Sequence, residues 1–116
     1  MSNSTPSKKV LKQLCRTSYT RELNYHLNKL KHKFDEWQNN NIDCWDLNEF
    51  IHQFHDGISR DLYKLYNYTS NDLFLVSRAA SLGILEKYEI PEGVPLLPDL
   101  WEKPEDLSNP KLIDKK

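Results

Sequence analysis

The stretch DLNEFIHQFHDGISRDLYKLY, residues 46–66, decides the fold of this chain. Its large apolar residues recur three or four positions apart, so they share one broad face of a helix at about 100° per residue. They are Leu47, Phe50, Ile51, Phe54, Ile58, Leu62 and Leu65. The pattern predicts one long amphipathic helix from Asp46 to Tyr66 that organises the core. Gly57 interrupts it at a cost of about 1 kcal/mol relative to alanine, which predicts a close partner backbone or a bend.

A narrower apolar pattern precedes this stretch and begins after Thr20. Its residues recur at steps of four and three, which is typical of the seam of a coiled-coil-like helix. They are Leu23, Leu27, Leu30, Phe34 and Trp37, called the seam below. Three asparagines, residues 39–41, favour turns and end this helix, and Asp43 is the expected N-cap of the next one. Upstream, the basic stretch is expected to form a separate short helix or the lead-in to this one, with residues 16–19 as the junction and Thr17 and Ser18 as possible caps.

A third helix is predicted after Tyr68. Thr69 and Asp72 have the spacing of a capping box, and Gly83 is the expected C-terminal stop. Apolar residues surround this helix almost completely, so we expect it to be buried centrally. From Pro91 onward five prolines favour an extended strap over the helices, with Trp101 as its anchor. A peptide that docks into a partner is the alternative interpretation.

Composition favours an all-α chain, because Gly is scarce and no stretch alternates as strands do. We expect a small bundle of three to four helices with an extended Pro-rich C-terminal tail. The expected divisions are a basic segment over 1–18, partly disordered or a short helix, a helical domain over 19–90 and the Pro-rich strap over 91–116. No apolar run has the roughly 18 to 20 residues of a membrane span, and no signal peptide is apparent, so no membrane contact and a cytoplasmic location are expected. Cys15 and Cys44 are expected to be free thiols.

Charge is divided along the chain. Residues 1–34 carry eight Lys and Arg against Glu22 alone, a formal +7, whereas the other residues carry a formal −8. We favour packing of the basic first helix beside the acidic remainder. The alternative is a phosphate-binding arm for nucleic acid. That arm would consist of Lys8, Lys9, Lys12 and Arg16.

One polar flank of the predicted long helix carries Glu49, His52, His55 and Asp56. Glu49 and His52 have the Glu-x-x-His spacing of di-metal helix bundles, but such a site needs a second copy of the motif, which the sequence lacks. A mononuclear site from His52, His55 and Asp56, with His26 as a further ligand, is the alternative. The sequence pattern shows no nucleophile next to a candidate general base, so no catalytic residue is assigned and no cofactor is expected.

Two charged residues fall among apolar ones. Asp61 projects into the apolar face of the long helix, and Arg78 lies within the apolar third helix. A buried charge needs a partner, so both are assigned to a structural polar network, with Asp61 as one candidate partner of Arg78.

These patterns favour a small regulatory or accessory protein-interaction module without catalytic activity of its own. Its partner would be another protein or a second copy of itself, bound through the seam, with Trp101 as a further contact. The first alternative is a nucleic-acid-associated protein that uses the basic N-terminal segment. The second is a metal-binding or enzymatic helical protein that uses the flank from Glu49 to Asp56.

Overall fold

The structure is a computed structural model in which residues 8–98 are described. Its α-helices are α1 (Lys8–Gln38), α2 (Cys44–Gln53), α3 (Arg60–Tyr68) and α4 (Asp72–Leu82). A π-helical segment, Phe54–Ser59, joins α2 to α3, and a short 3-10 turn, Lys87–Glu89, follows α4. Residues 8–98 contain no strand, which confirms the all-α class.

The helix α1 and the continuous helical run of residues 44–68, called the rod below, form an antiparallel hairpin. Near one end, the rings of Tyr19 and Tyr66 stack with centroids 4.7 Å apart. Near the other, the Lys33 ammonium lies 4.4 Å from the centroid of the Phe50 ring. The 31 residues of α1 span about 46 Å at 1.5 Å per residue. The hairpin is therefore the long axis of the described structure.

The helix α4 covers only the first part of α1. Its first residue, Asp72, lies 3.5 Å from the Lys12 ammonium, and just past its end the Ile84 carbonyl accepts a 3.0 Å hydrogen bond from Arg21. Residues of both helices and of the turn after α4 form the buried core cluster. They are Tyr25, Val76, Ala79, Leu82, Ile84 and Leu85, with Leu11, Leu14, Cys15 and Ile90 packed against them. Beyond Tyr25, no residue of α1 is buried.

The predicted junction at residues 16–19 is wrong, because α1 runs through them without a break, so the basic stretch is a lead-in to the same helix. Instead of capping a new helix, the Ser18 hydroxyl donates a 2.7 Å hydrogen bond to the Leu14 carbonyl one turn earlier. The predicted end of this helix is confirmed. Asn40 adopts φ 63°, and Asp43 caps α2 in a reciprocal capping box with Asp46.

The predicted start of the third helix is also wrong. Asn71, rather than Thr69, is the N-cap of α4, and its side-chain oxygen accepts a 3.1 Å hydrogen bond from the Phe74 N–H. Thr69 ends α3 instead. The predicted stop is confirmed, since Gly83 adopts φ 80° in the left-handed region that glycine occupies at low cost.

The predicted long helix is present as the rod, with the π-helical segment in its middle. Gly57 lies in that segment, and a Cβ added to it would meet no atom within 4 Å. No backbone within residues 8–98 therefore approaches Gly57 closely. The helix accommodates the interruption by a π-turn, a turn type that is wider than an α-turn because its characteristic hydrogen bonds reach five residues back instead of four.

The core is centred elsewhere than predicted. Within the rod only Leu47 and Leu62 are buried, whereas the central burial of α4 is confirmed by Leu75, Val76 and Ala79. Among residues 8–98, α1 is the helix that packs along the first part of the rod, which leaves that part half-exposed. The organising core therefore lies between α4 and the first half of α1.

The chain after α4 passes back over that helix. Leu97 donates its backbone N–H to the hydroxyl of buried Ser77 at 2.9 Å. Trp101, the expected anchor of the strap, lies outside the described residues. Cys15 and Cys44 are both free thiols. None of the helices in residues 8–98 combines the length and the apolarity needed to cross a bilayer.

Candidate functional site

The open half of the hairpin, defined as α1 residues 26–38 with rod residues 44–58, exposes large apolar side chains. Leu27, Phe34 and Trp37 are each about 40% exposed, and Trp45 across the turn is 77% exposed. The other two seam residues, Leu23 and Leu30, are half-buried. The structure therefore brings the seam together along α1 and leaves three of its five members accessible. Their role in partner binding stays a prediction.

A groove of about 310 Å³ runs between α1 and the rod within the open half. Four apolar and four polar residues line it. They are Leu30, Phe50, Phe54 and Ile58, with His26, Lys29, Lys33 and Gln53. Sequence reasoning placed Phe50, Phe54 and Ile58 on an apolar face but did not identify a groove, because the groove depends on how that face meets α1.

The polar side of the groove carries positive charge held close to aromatic rings. Lys33 lies over the Phe50 ring at 4.4 Å and also pairs with Glu36 at 3.0 Å, and Lys29 lies 5.5 Å from the centroid of Tyr25. Such cation–π contacts hold a lysine stem along apolar surface while the ammonium stays near solvent. The groove thus combines apolar surface with a cationic rim.

The π-helical segment contributes directly to this groove through Phe54 and Ile58. Single π-turns within α-helices are rare and frequently occur at functional sites. Because a wider turn rotates the following residues relative to an ideal α-helix, it sets which side chains of the rod face α1. Its position here adds weight to the groove as a functional surface.

Two seam residues, Leu27 and Phe34, lie on a different side of α1 from the lysines of the groove. At about 100° per residue, Leu27 and Phe34 point roughly 100° to 160° away from Lys29 and Lys33. Leu30 lies between the two sets. The open half therefore offers two adjoining surfaces that share Leu30, an apolar seam and a groove with a basic rim.

The polar flank does not form a metal site in the structure. Glu49, His52, His55 and Asp56 are all exposed, and Glu49 accepts a hydrogen bond from Gln53 at 3.3 Å. Across residues 8–98, no three His, Cys, Asp or Glu side chains gather closely enough to hold a metal ion. His26, the proposed further ligand, lines the groove instead.

The basic residues at the start of α1, Lys8, Lys9, Lys12 and Arg16, are exposed. Two ion pairs agree with the expectation that the basic first helix packs beside the acidic part of the chain. Lys12 lies 3.5 Å from Asp72, and Arg21 pairs with Glu89 at 2.7 Å. Some of the oppositely charged residues thus pair with each other within the fold. The exposed basic residues remain a candidate phosphate-binding surface.

A buried polar network joins α1, the rod and α4. Arg78 contacts both carboxylate oxygens of Glu22 at 2.9 Å, and the Tyr66 hydroxyl donates to the same carboxylate at 2.8 Å. Burial and the Glu22 charge raise the pKa of Tyr66 far above its usual range. Burial alone would lower the pKa of Arg78, but its hydrogen bonds to Glu22 and the charge of that carboxylate raise it.

The suggested pairing of Arg78 with Asp61 is wrong, because Asp61 is exposed and Glu22 is the partner of Arg78. Sequence reasoning missed Glu22, although a signal was present. Leu11 and Leu14 begin a stripe that continues at helical spacing through Ser18, Glu22 and Tyr25. Because Ser18 and Glu22 at the centre of this stripe are polar, the stripe does not appear as an apolar pattern in the sequence.

A second buried pair closes the segment after α4. The two terminal guanidinium nitrogens of Arg21, Nη1 and Nη2, donate to the Glu89 carboxylate at 2.8 and 2.7 Å, and Glu89 also accepts the Glu86 N–H at 2.8 Å. Two parallel hydrogen bonds of this kind give a charged pair strong geometric specificity. The pair holds the 3-10 turn against α1.

No protein-family model, curated protein or solved structure matches this chain.

Proposed function

We propose that this chain is a protein-interaction module whose binding surface is the open half of the hairpin. One observation carries the proposal. Beyond Tyr25 no residue of α1 is buried, yet Leu27, Phe34 and Trp37 stand there about 40% exposed. Contiguous exposed apolar surface of this kind marks interaction sites in soluble proteins.

The residue types agree with this role. Tryptophan and other aromatics are enriched among the residues that dominate binding energy, since they bury large areas with few rotatable bonds. Trp37 and Trp45 lie on either side of the turn that connects α1 to the rod. An interface centred on this turn would cover both rings together.

The buried ionisable groups form structural ion pairs within the fold. Glu22 pairs with Arg78, and Arg21 pairs with Glu89, so these groups hold α4 and the 3-10 turn in place. We propose an accessory or regulatory role in which a rigid helical hairpin presents a surface to another protein or to a second copy. The cytoplasm is its proposed location, which imaging of a tagged chain tests.

Site-specific photo-cross-linking in the cells that make the protein tests the proposal. A photoreactive amino acid at Trp37 should give discrete cross-linked products, whereas the same group at Lys64, exposed on α3, should not. Co-expression of two differently tagged copies separates a homodimer from another partner. Equal products at both positions, or none at Phe34, Trp37 and Trp45, would remove the open half as the binding surface.

A second candidate function is binding to nucleic acid. Lys8, Lys12 and Arg16 follow at four-residue spacing along one exposed face of α1. Oligonucleotide affinity should fall steeply with salt and be lost when these three residues become glutamine, while Lys64→Gln with Lys87→Gln leaves it unchanged. No binding at low salt would rule this function out.

A further inference from the structure

We propose that the groove of the open half binds an amphipathic helix that carries an acidic residue, supplied by a partner protein. This inference rests on the proposed interaction function and names the chemistry of the partner.

The fold itself shows how this side of α1 receives a helix. The helix α4 lies against the side of α1 that carries Ser18 and Glu22, both of them buried. Val76 and Ala79 of α4 are fully buried there, and Arg78 meets Glu22. A short helix with small and branched apolar residues and one charged side chain therefore fills the first half of this side.

The groove continues the same side of α1 farther along the hairpin. Lys29 and Lys33 follow Ser18 and Glu22 by eleven positions each. Eleven residues are about three helical turns, so each lysine points within roughly 20° of its counterpart and about 16 Å farther along the axis. The groove therefore lies beyond the end of α4, on the same side of α1 that α4 covers earlier along the helix.

The charge at the corresponding position is reversed. The Glu22 carboxylate accepts two hydrogen bonds from the Arg78 guanidinium of α4, and both nitrogen-to-oxygen distances are 2.9 Å. Lys33, whose ammonium also pairs with Glu36 at 3.0 Å, takes the corresponding place in the groove, and Lys29 is a second cationic side chain beside it. A helix seated there would therefore carry Asp or Glu where α4 carries Arg78, because an acid complements the basic rim and an arginine opposes it.

The apolar part of the groove defines the rest of the ligand. Leu30 comes from α1, and Phe54 and Ile58 come from the π-helical segment. Helix-in-groove recognition uses apolar residues three and four positions apart on one face of the bound helix. The rod residues from Phe50 to Ile58 span about 12 Å, which matches two to three turns of a bound helix.

Two peptides made from the chain's own α4 test this inference. Both comprise residues 71–83 and are held helical by the same side-chain staple; one keeps Arg78 and the other carries Arg78→Glu. Fluorescence anisotropy with the full chain should show at least tenfold tighter binding of the Arg78→Glu peptide. Methyl NMR shifts should change at Leu30 and Ile58 rather than at Leu11 and Leu14.

Charge reversal in the full chain supplies the controls. Lys33→Glu should reverse the preference between the two peptides, while Lys31→Glu, exposed on another side of α1, should leave it unchanged. If Lys33→Glu loses its helical circular dichroism, Lys33→Met replaces it and should abolish the preference. Equal affinities for both peptides, binding that maps outside the groove, or no binding of either peptide would overturn the inference. Cross-linking at Trp37 that persists in that case would retain the interaction function and assign it to the seam.

Discussion

Arg78 in α4 and Glu22 in α1 form a bidentate salt bridge, with each terminal guanidinium nitrogen 2.9 Å from its own carboxylate oxygen. Tyr66 of α3 donates its hydroxyl to the same carboxylate at 2.8 Å. Glu22 is only 2% exposed, so one buried carboxylate bonds to both of the other helical elements. This relationship determines where α4 lies along the hairpin.

Removal of the carboxylate should destabilise the fold strongly. Glu22→Ala leaves Arg78 with no carboxylate at this position and should cost about 3 to 5 kcal/mol of unfolding free energy. Urea denaturation followed by circular dichroism measures this cost. The double variant Glu22→Met with Arg78→Met should be more stable than Glu22→Ala, because no uncompensated charge remains. If the double variant loses as much unfolding free energy as the two corresponding single variants lose together, the two side chains are not coupled.

The two glycines outside the tail should respond to alanine with opposite signs. Gly83→Ala should destabilise by about 1 kcal/mol, since φ 80° strains any residue with a Cβ although no atom lies within 4 Å. Gly57→Ala should stabilise by up to about 1 kcal/mol, because its added Cβ is equally unobstructed and alanine favours helix. The measurement is the shift of each urea midpoint. A loss of stability in Gly57→Ala would indicate that the π-helical segment needs glycine.

The caps of α4 provide another matched pair. Asn71→Ala removes the side-chain acceptor for the Phe74 N–H and should cost about 1 kcal/mol. Thr69→Ala should change stability by less than about 0.5 kcal/mol, because Thr69 lies outside α4. Thermal unfolding of both variants decides between them. A larger effect at Thr69 would contradict the observed start of the helix.

The two cysteines should differ in reactivity toward alkylation. Burial, followed by the charge of Asp72, raises the pKa of Cys15 to about 11, so at pH 8 about one thiol in a thousand is ionised. Cys44 is exposed. Mass spectrometry after brief iodoacetamide treatment should find Cys44 modified first. Equal rates would show that the contact between α1 and the start of α4 opens readily.

The same raised pKa predicts a pH dependence of stability. The folded state favours the neutral thiol, so the contribution of Cys15 is complete below its unfolded value of 9.0 and is lost as pH rises toward about 11. Unfolding free energies measured from pH 8 to 10.5 should fall less steeply in Cys15→Ala than in the natural chain. Parallel curves would contradict the assigned burial of this thiol.

Much of the local structure follows from residues that act on their near neighbours. Asp43 caps α2, Asn40 takes the left-handed conformation that ends the preceding turn, and Gly83 stops α4, all as predicted. These signals are readable because a cap or a stop depends on hydrogen bonds within one turn of helix. The junction predicted at residues 16–19 failed because the Ser18 hydroxyl bonds back within its own helix, which a capping pattern does not reveal.

The sequence by itself determined an all-α chain, the turn between its two long helices, and an apolar seam from Leu23 to Trp37. Periodicity and capping depend on residues that are close together in the sequence, so the sequence alone is sufficient to predict them. Only the tertiary structure decided that Glu22, rather than Asp61, meets Arg78, and that α4 stops short of the open half. Those outcomes depend on which helix faces pack together across more than fifty residues of chain. The groove that results is a property of that packing, and its basic rim is set by the lysines that α1 presents beyond the end of α4.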